Sequence, residues 1–190
     1  MTSQQGNADG NAEGNVEDSA SPGVAPAADT QGIAAQRVAM WVQYDGSGFN
    51  GWQLQKGSNA ITVQGALERA LGFVANHPVR LHCAGRTDSG VHATAQLVHF
   101  DAANPRPLQG WMRGANANLD CPVSVLQAFE VSRDFHARHS ATARHYRYLI
   151  YNDAVRPALG ADYVTWVRHP LDADSMHAHA QVLLGEQDFS

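Results

Sequence analysis

From Arg37 onward the chain alternates. Val38, Met40, Val42 and Tyr44 fall on one side of an extended segment and Ala39, Trp41 and Gln43 on the other, as in a half-buried strand. The pattern stops at Asp45, and DGSGFNGW then supplies four turn-forming positions in quick succession, which predicts a flexible loop. Thr62 suits a helix N-cap, and Val63, Ala66, Leu67, Ala70 and Leu71 follow at the spacing of one helical face. That makes a helix of about three turns. Residues 79–83 and 95–100 read as strands joined by a Gly-containing loop, and 108–119 as a weaker helix that Gly110 and Gly114 each destabilise by about 1 kcal/mol relative to Ala. Residues 123–131 and 144–151 are again strand-like, and 172–184 helical. Strand, helix, strand, strand, helix, strand is the split β-α-β order of a ferredoxin-like α+β sandwich, an antiparallel-rich sheet with helices on one face.

Composition sets the boundaries. Residues 1–36 are Gly, Ala, Asn, Gln, Ser, Asp and Glu with scarcely any Val, Ile or Leu, too little apolar surface to offset ordering entropy. They are expected to form a disordered tail whose deletion changes stability little. Residues 37–190 are expected to be one globular module. The net charge of −5 is uninformative about partners, because five of the eighteen acids precede Arg37 and the remaining thirteen balance thirteen Lys and Arg. A basic face is compatible with that balance. Cys83 and Cys121, in a chain with no apolar signal segment, are better read as reduced thiols than as a bridge. No apolar run is long enough to span a bilayer, so no membrane partner and a cytoplasmic location are expected. None of His82 with Cys83, His99, or His177 with His179 has a metal-ligand spacing, so no metal site is assigned. The glycines of DGSGFNG neither open a helix directly nor carry a phosphate-loop lysine.

The string AGRTDSGVHA, residues 84–93, lies between two predicted strands. Gly85 and Gly90 permit backbone shapes that would hold Arg86 and Asp88 toward a cleft, and a carboxylate beside a guanidinium stays ionised, as a nucleophile should. By local chemistry alone the simpler reading is a hairpin turn in which Asp88 bonds its own backbone and Arg86 is solvated. Further on, Arg133, Arg138, Arg144 and Arg147 fall within fifteen residues holding one acid, Asp134, together with His136, His139 and His145. Phosphate binding and a solvated basic strand are equally open readings for any one of them. Tyr146, Tyr148 and Ile150 would share a strand face, where a core role is the plain alternative.

GRTDSGVHA resembles the signature motif of the TruA family of tRNA pseudouridine synthases. YDGSGFNGWQ, residues 44–53, is similar to the family's first motif and is followed by the helix VQGALERAL. DFHARHSATARHYRYLIY, residues 134–151, and LLGEQDFS, residues 183–190, are similar to its later ones. The resemblance implies an enzyme that isomerises uridine to pseudouridine at positions 38, 39 and 40 of the tRNA anticodon stem-loop. It implies no cofactor, a homodimer, and a base flipped from its stack at a cost of a few kcal/mol. Asp88 would be the catalytic nucleophile and Arg86 its partner, also helping to hold the displaced strand. Tyr146 would stack on the uracil, and its hydroxyl would be placed to move a proton. Arg138, Arg144 and Arg147 would contact phosphates. The N-terminal subdomain would reach about residue 135, with a C-terminal subdomain starting at 136. Family members continue through further strands and another basic motif. The second half of the fold is therefore expected to be incomplete, with activity reduced or lost. A catalytically inactive RNA-binding fragment is the competing expectation, and a structural protein that binds no RNA the third.

Overall fold

The computed structural model describes residues 35–188 apart from Lys56 and Ser58. Most of the segment read as a tail lies outside the described residues. Six strands and three α-helices follow in the order β1 (Gln36–Tyr44), α1 (Val63–Ala75), β2 (His82–Cys83), β3 (Ala93–Ala102), α2 (Leu108–Ala117), β4 (Val123–Glu130), β5 (Ile150–Asn152), β6 (Thr165–Val167) and α3 (Ala173–Ala180). The first four strands form an antiparallel sheet in the order β2-β3-β1-β4, the ferredoxin-like split β-α-β arrangement.

The alternation of β1 and β3 decides which face is dry. Val38, Met40, Val42 and Tyr44 meet Val98, Phe100, Val123 and Val125 in one buried cluster with Val63, Leu67 and Leu71 of α1 and Trp111 and Ala115 of α2. Burying each large aliphatic side chain contributes about 1.5–3 kcal/mol. Helix α1 starts as its sequence predicts, the Thr62 hydroxyl oxygen accepting the Gly65 N–H at 3.2 Å, and ends on Asn76 in the left-handed region at φ 58°. In α2, Gly114 has a packing role. A Cβ there would lie 2.7 Å from a methyl of Val74, so its absence lets the two helices approach.

Three boundaries differ from the sequence reading, each for a hydrogen-bonding reason. β1 begins at Gln36, inside the stretch read as tail. The Gln36 side chain is buried, accepts the Trp111 indole N–H at 3.1 Å and the Arg106 N–H at 3.2 Å, and donates to Glu130. The strand expected over 79–83 is reduced to β2, because the Leu81 N–H goes to the Glu68 carboxylate and the Leu81 carbonyl to the Gln64 amide, both from α1. The strand expected over 144–151 is paired only at Ile150–Asn152, where β6 lies parallel alongside. No residue from 141 to 188 is buried, and Tyr146, Tyr148, Leu159, Val182 and Leu184 are among its exposed apolar side chains.

Candidate active site

The loop carrying Arg86 and Asp88 is fixed through its backbone. The Ala84 N–H extends the ladder to the Leu97 carbonyl at 2.8 Å, and the Gln96 amide then grips the next residue from both sides, donating to the Gly85 carbonyl and accepting its N–H. The Thr87 hydroxyl lies 2.8 Å from the Tyr44 phenol, and its carbonyl accepts the Trp52 N–H at 2.9 Å. Burial pushes the Tyr44 pKa up, the Thr87 contact opposing it, so that phenol keeps its proton at neutral pH. The Asp88 carbonyl accepts the Val91 N–H, closing a turn at Gly90, whose φ is 80°.

The glycine-rich loop read as flexible is instead the bed on which this loop rests. A Cβ on Gly46 would overlap the Val91 carbonyl, and one on Gly51 would sit 2.9 Å from the Thr87 carbonyl oxygen and 3.1 Å from the Asp88 carbonyl carbon. Gly51 also has φ 81°. Gly51→Ala is therefore expected to destabilise by about 1–3 kcal/mol through strain and backbone displacement. Gly57→Ala provides the control, since Gly57 has φ 74° and nothing within 4 Å. Urea melts should show the larger loss at Gly51; equal losses would mean that loop contact contributes nothing.

Beside the loop, along the β2 edge of the sheet, lies a cleft of about 590 Å³. Its wall carries Arg80, Arg86, Arg138 and Arg144 and the histidines 82, 136 and 139, with Trp52 and Tyr146, and no Asp or Glu. Arg80 is held by Glu68 at 3.5 Å. Sequence-distant basic residues thus converge where a polyanion would be attracted.

The residues expected to act fall into different places. Arg86 and Tyr146 line the cleft; Asp88 stands two residues beyond Arg86 on the same loop, exposed, and outside the residues that line it. Arg86 and Asp88 form no ion pair, contrary to expectation. Thr87 between them is pinned by Tyr44 and Trp52, and the chain turns immediately after, so no geometry forces the two charged side chains together. Tyr146 is 74% exposed, and its hydroxyl stands over Gly85, where a Cβ would be 3.4 Å away. Arg138 faces the cleft, and its guanidinium has no hydrogen-bond or ion-pair partner among the described residues. Arg144 is turned inward, donating from Nε and Nη2 to the Ala84 carbonyl at 2.9 and 2.7 Å and from Nη2 to the Arg138 carbonyl at 3.2 Å. It cross-links segment 138–146 to the loop. Arg147 is exposed and does not line the cleft.

Several residues that organise the site have no role of their own in the sequence reading. Gln96 is one with a signal, a polar residue on the apolar face shared by Val98 and Phe100. Asp45, His92 and Tyr163 join both loops to the 3-10 turn Ala161–Tyr163. The Tyr163 phenol donates to Asp45 at 2.7 Å, and His92 accepts the Gly46 N–H at Nδ1 and meets the Asp162 carbonyl through Nε2. The Ser47 backbone N–H, then Tyr163, hold the Asp45 carboxyl far below the usual range. The 3.1 Å approach of His92 Nδ1 to Asp45 becomes an ion pair only if His92 is protonated.

His82, His99 and His136 pack together with centroid separations of 4.7–5.1 Å, the first two stacked and His136 edge-on to His99, and His139 follows 4.4 Å from His136. His99 is 2% exposed, and its Nδ1 accepts the Ala137 N–H at 3.1 Å. Burial first, then the neighbouring His136 and His82, push its pKa down to about 4. The unfolded chain takes up that proton near pH 6.5 while the fold resists until about 4. Stability is therefore complete above about pH 6.5 and falls as the pH drops between these values, by up to about 3 kcal/mol. His99→Asn, which keeps an acceptor for Ala137, should flatten that part of the urea-melt pH profile. An unchanged slope would assign the acid sensitivity to other groups.

Comparison with known proteins agrees with this geometry. Residues 40–140 match the family model described as tRNA pseudouridine synthase. The chain is 53% identical over 154 residues to a protein of Aliivibrio fischeri (strain MJ11) named tRNA pseudouridine synthase A, covering 81% of this chain and 58% of that protein. Proteins of the same name from Coxiella burnetii (strain Dugway 5J108-111) and Pseudomonas aeruginosa (strain PAO1) are 52% and 51% identical, over 81% and 86% of this chain and 58% and 57% of their own length. The chain thus spans a little over half the length of the curated relatives it matches. With a ferredoxin-like sheet, a backbone-locked loop bearing GRTDSGVH and an arginine-lined cleft at its edge, this chain belongs to the tRNA pseudouridine synthase family.

Proposed function

We propose that residues 37–190 are the catalytic module of a tRNA pseudouridine(38–40) synthase, with Asp88 as the nucleophile. The observation that carries this reading is the position of Asp88 on a backbone-locked loop beside a cleft with four arginines and no acid. In the reaction the uracil N1–C1′ bond breaks, the base rotates, and a C5–C1′ bond forms while a proton leaves C5 and N1 gains one. Such a rearrangement needs a carboxylate at the detached partner, a surface for the free base and charges on the backbone. Asp88, Tyr146, and Arg86 with Arg138 supply these in turn, and ring stacking contributes about 1–3 kcal/mol. The arginines favour any RNA through its phosphates, so tRNA selectivity comes from shape and the flipped base. The names of the relatives support tRNA as the substrate. A homodimer and a cytoplasmic location complete the proposal. No helix among the described residues is long and apolar enough to cross a membrane.

A second reading, RNA binding without turnover, is favoured by the exposure of Tyr146 and of every residue from 144 to 149 on that side of the cleft. Incubating the 190-residue chain with tRNA bearing uridine at 38, 39 or 40 and assaying pseudouridine separates the two. Product at those positions supports the enzyme; bound but unmodified tRNA supports the binding module; no binding at low salt sinks both.

A further inference from the structure

The histidine cluster contributes more than packing. Among the described residues no group of three His, Cys, Asp or Glu side chains is arranged to hold a metal ion. His136 is the informative member. Its Nδ1 accepts two backbone N–H groups of its own segment, Arg138 at 3.2 Å and His139 at 3.4 Å. An acceptor on both bonds must be unprotonated, so the imidazole proton resides on Nε2. That atom has no hydrogen-bond partner among the described residues and is not sealed from solvent, while the ring lines the cleft.

Burial and the neighbouring His139, His82, Arg37 and Arg138 work against a positive charge on the ring. His82 comes from β2, His99 from β3, Arg37 from β1, and His139 and Arg138 from its own segment. On the adjoining elements Asp101 is bonded to Arg37 at 2.8 Å and Glu68 to Arg80 and the Leu81 N–H, while Asp134 of the ring's own segment is exposed. Burial, with these cations and rings, lowers the His136 pKa. The result is an uncharged, orientationally fixed N–H donor inside a wall of arginines, bonded to no acceptor among the described residues.

We propose that His136 is a phosphate-binding residue of this cleft, its neutral Nε2–H donating to a non-bridging oxygen of an RNA phosphodiester held by charge from Arg86 and Arg138. This rests on the RNA-modifying reading above and deepens it, assigning one backbone contact to a neutral group. The distinction is measurable. Charged contacts release counterions and set the salt slope of binding, each contributing about 0.7–0.9 to it. A neutral donor adds affinity without adding slope. A hydrogen bond to a charged acceptor contributes enough for about tenfold in affinity.

The experiment measures gel-shift affinity of the 190-residue chain for an anticodon stem-loop RNA across a salt series. His136→Leu should bind about tenfold more weakly at every salt concentration with the wild-type slope. Arg138→Ala should bind more weakly with a slope shallower by about 0.7–0.9. His136→Gln, whose amide can place a carbonyl at the backbone N–H groups and an N–H near Nε2, should stay within a few-fold of wild type. Wild-type affinity in His136→Leu, or a slope that falls as in Arg138→Ala, overturns the proposal. If His136→Leu melts early, the Gln variant decides. Its pH dependence of binding between about pH 6 and about pH 8 should match that of wild type, and a dependence that vanishes in it would show a charged ring and overturn the neutral donor. Failure of the wild-type chain to bind RNA would sink the RNA reading itself, whereas normal wild-type binding with an unaffected His136→Leu sinks this contact alone.

Discussion

Asp88→Asn is expected to lower pseudouridine formation by at least about a thousandfold, the scale seen when a nucleophile is removed, while leaving the fold and RNA affinity in place. The structure makes the separation clean. Asp88 is exposed, and its side chain has no hydrogen bond or ion pair among the described residues, so the amide leaves no partner unsatisfied there and stability should stay within about 0.5 kcal/mol. The turn is held by Thr87, Gly85 and the Asp88 carbonyl, all of which the variant keeps. Near a polyanion the loss of one negative charge leaves affinity unchanged or slightly tighter. Assays of product, melting and gel shift on the same preparation check the three parts. A variant that still turns over removes Asp88 from the chemistry, and one that unfolds shows that its carboxylate supports the loop.

Trp111→Ala should cost about 3–5 kcal/mol, a large share of the roughly 5–15 kcal/mol that stabilises a domain. Trp111 is fully buried, edge-on to Phe100 at 5.1 Å between centroids, with the Arg106 guanidinium 5.8 Å from its ring. Truncation leaves a cavity between α2 and the sheet and removes the indole N–H from Gln36. Trp111→Phe should cost less, because most of the volume stays and the Gln36 oxygen still accepts the Arg106 N–H. The same bond gives a sharper expectation for N-terminal deletions. Removing residues 1–34 spares Gln36, whereas removing 1–36 strands the buried indole donor and should cost about 1–3 kcal/mol more. Urea melts of the two Trp111 variants and the two deletions check the ordering, and equal stability of the deletions would show that water replaces the glutamine.

Local pattern carried the fold because each of its parts is a short-range property. The period-two run of β1, the Thr62 cap and apolar face of α1, and the order of elements all follow from backbone geometry and one-sided burial, which neighbouring residues encode. The site was legible only as a set of strings. Arg86 and Tyr146 do meet in one cleft, but Arg138, Arg144 and Arg147, expected to share a role, are separated by the structure into a cleft wall, an internal cross-link and an exposed residue outside the cleft. What a polar side chain does depends on which carbonyl or ring a distant segment brings to it.

The amino-acid sequence by itself thus determined the α+β class, the elements of the sheet and α1, and the loop on which Asp88 is displayed. Tertiary structure alone decided that β2 would be cut short by Gln64 and Glu68, that Gly46 and Gly51 would serve as a bed for the Asp88 loop, and that Arg86 and Asp88 would stay unpaired. It also decided that the His136 ring would pack against His82 and His99 and face the arginine-lined cleft. The physical reason is the same in each case. Hydrophobic periodicity is written in neighbours a few residues apart, whereas hydrogen-bond partners and the field at a titratable group are set by segments tens of residues away, which meet only once the core has closed.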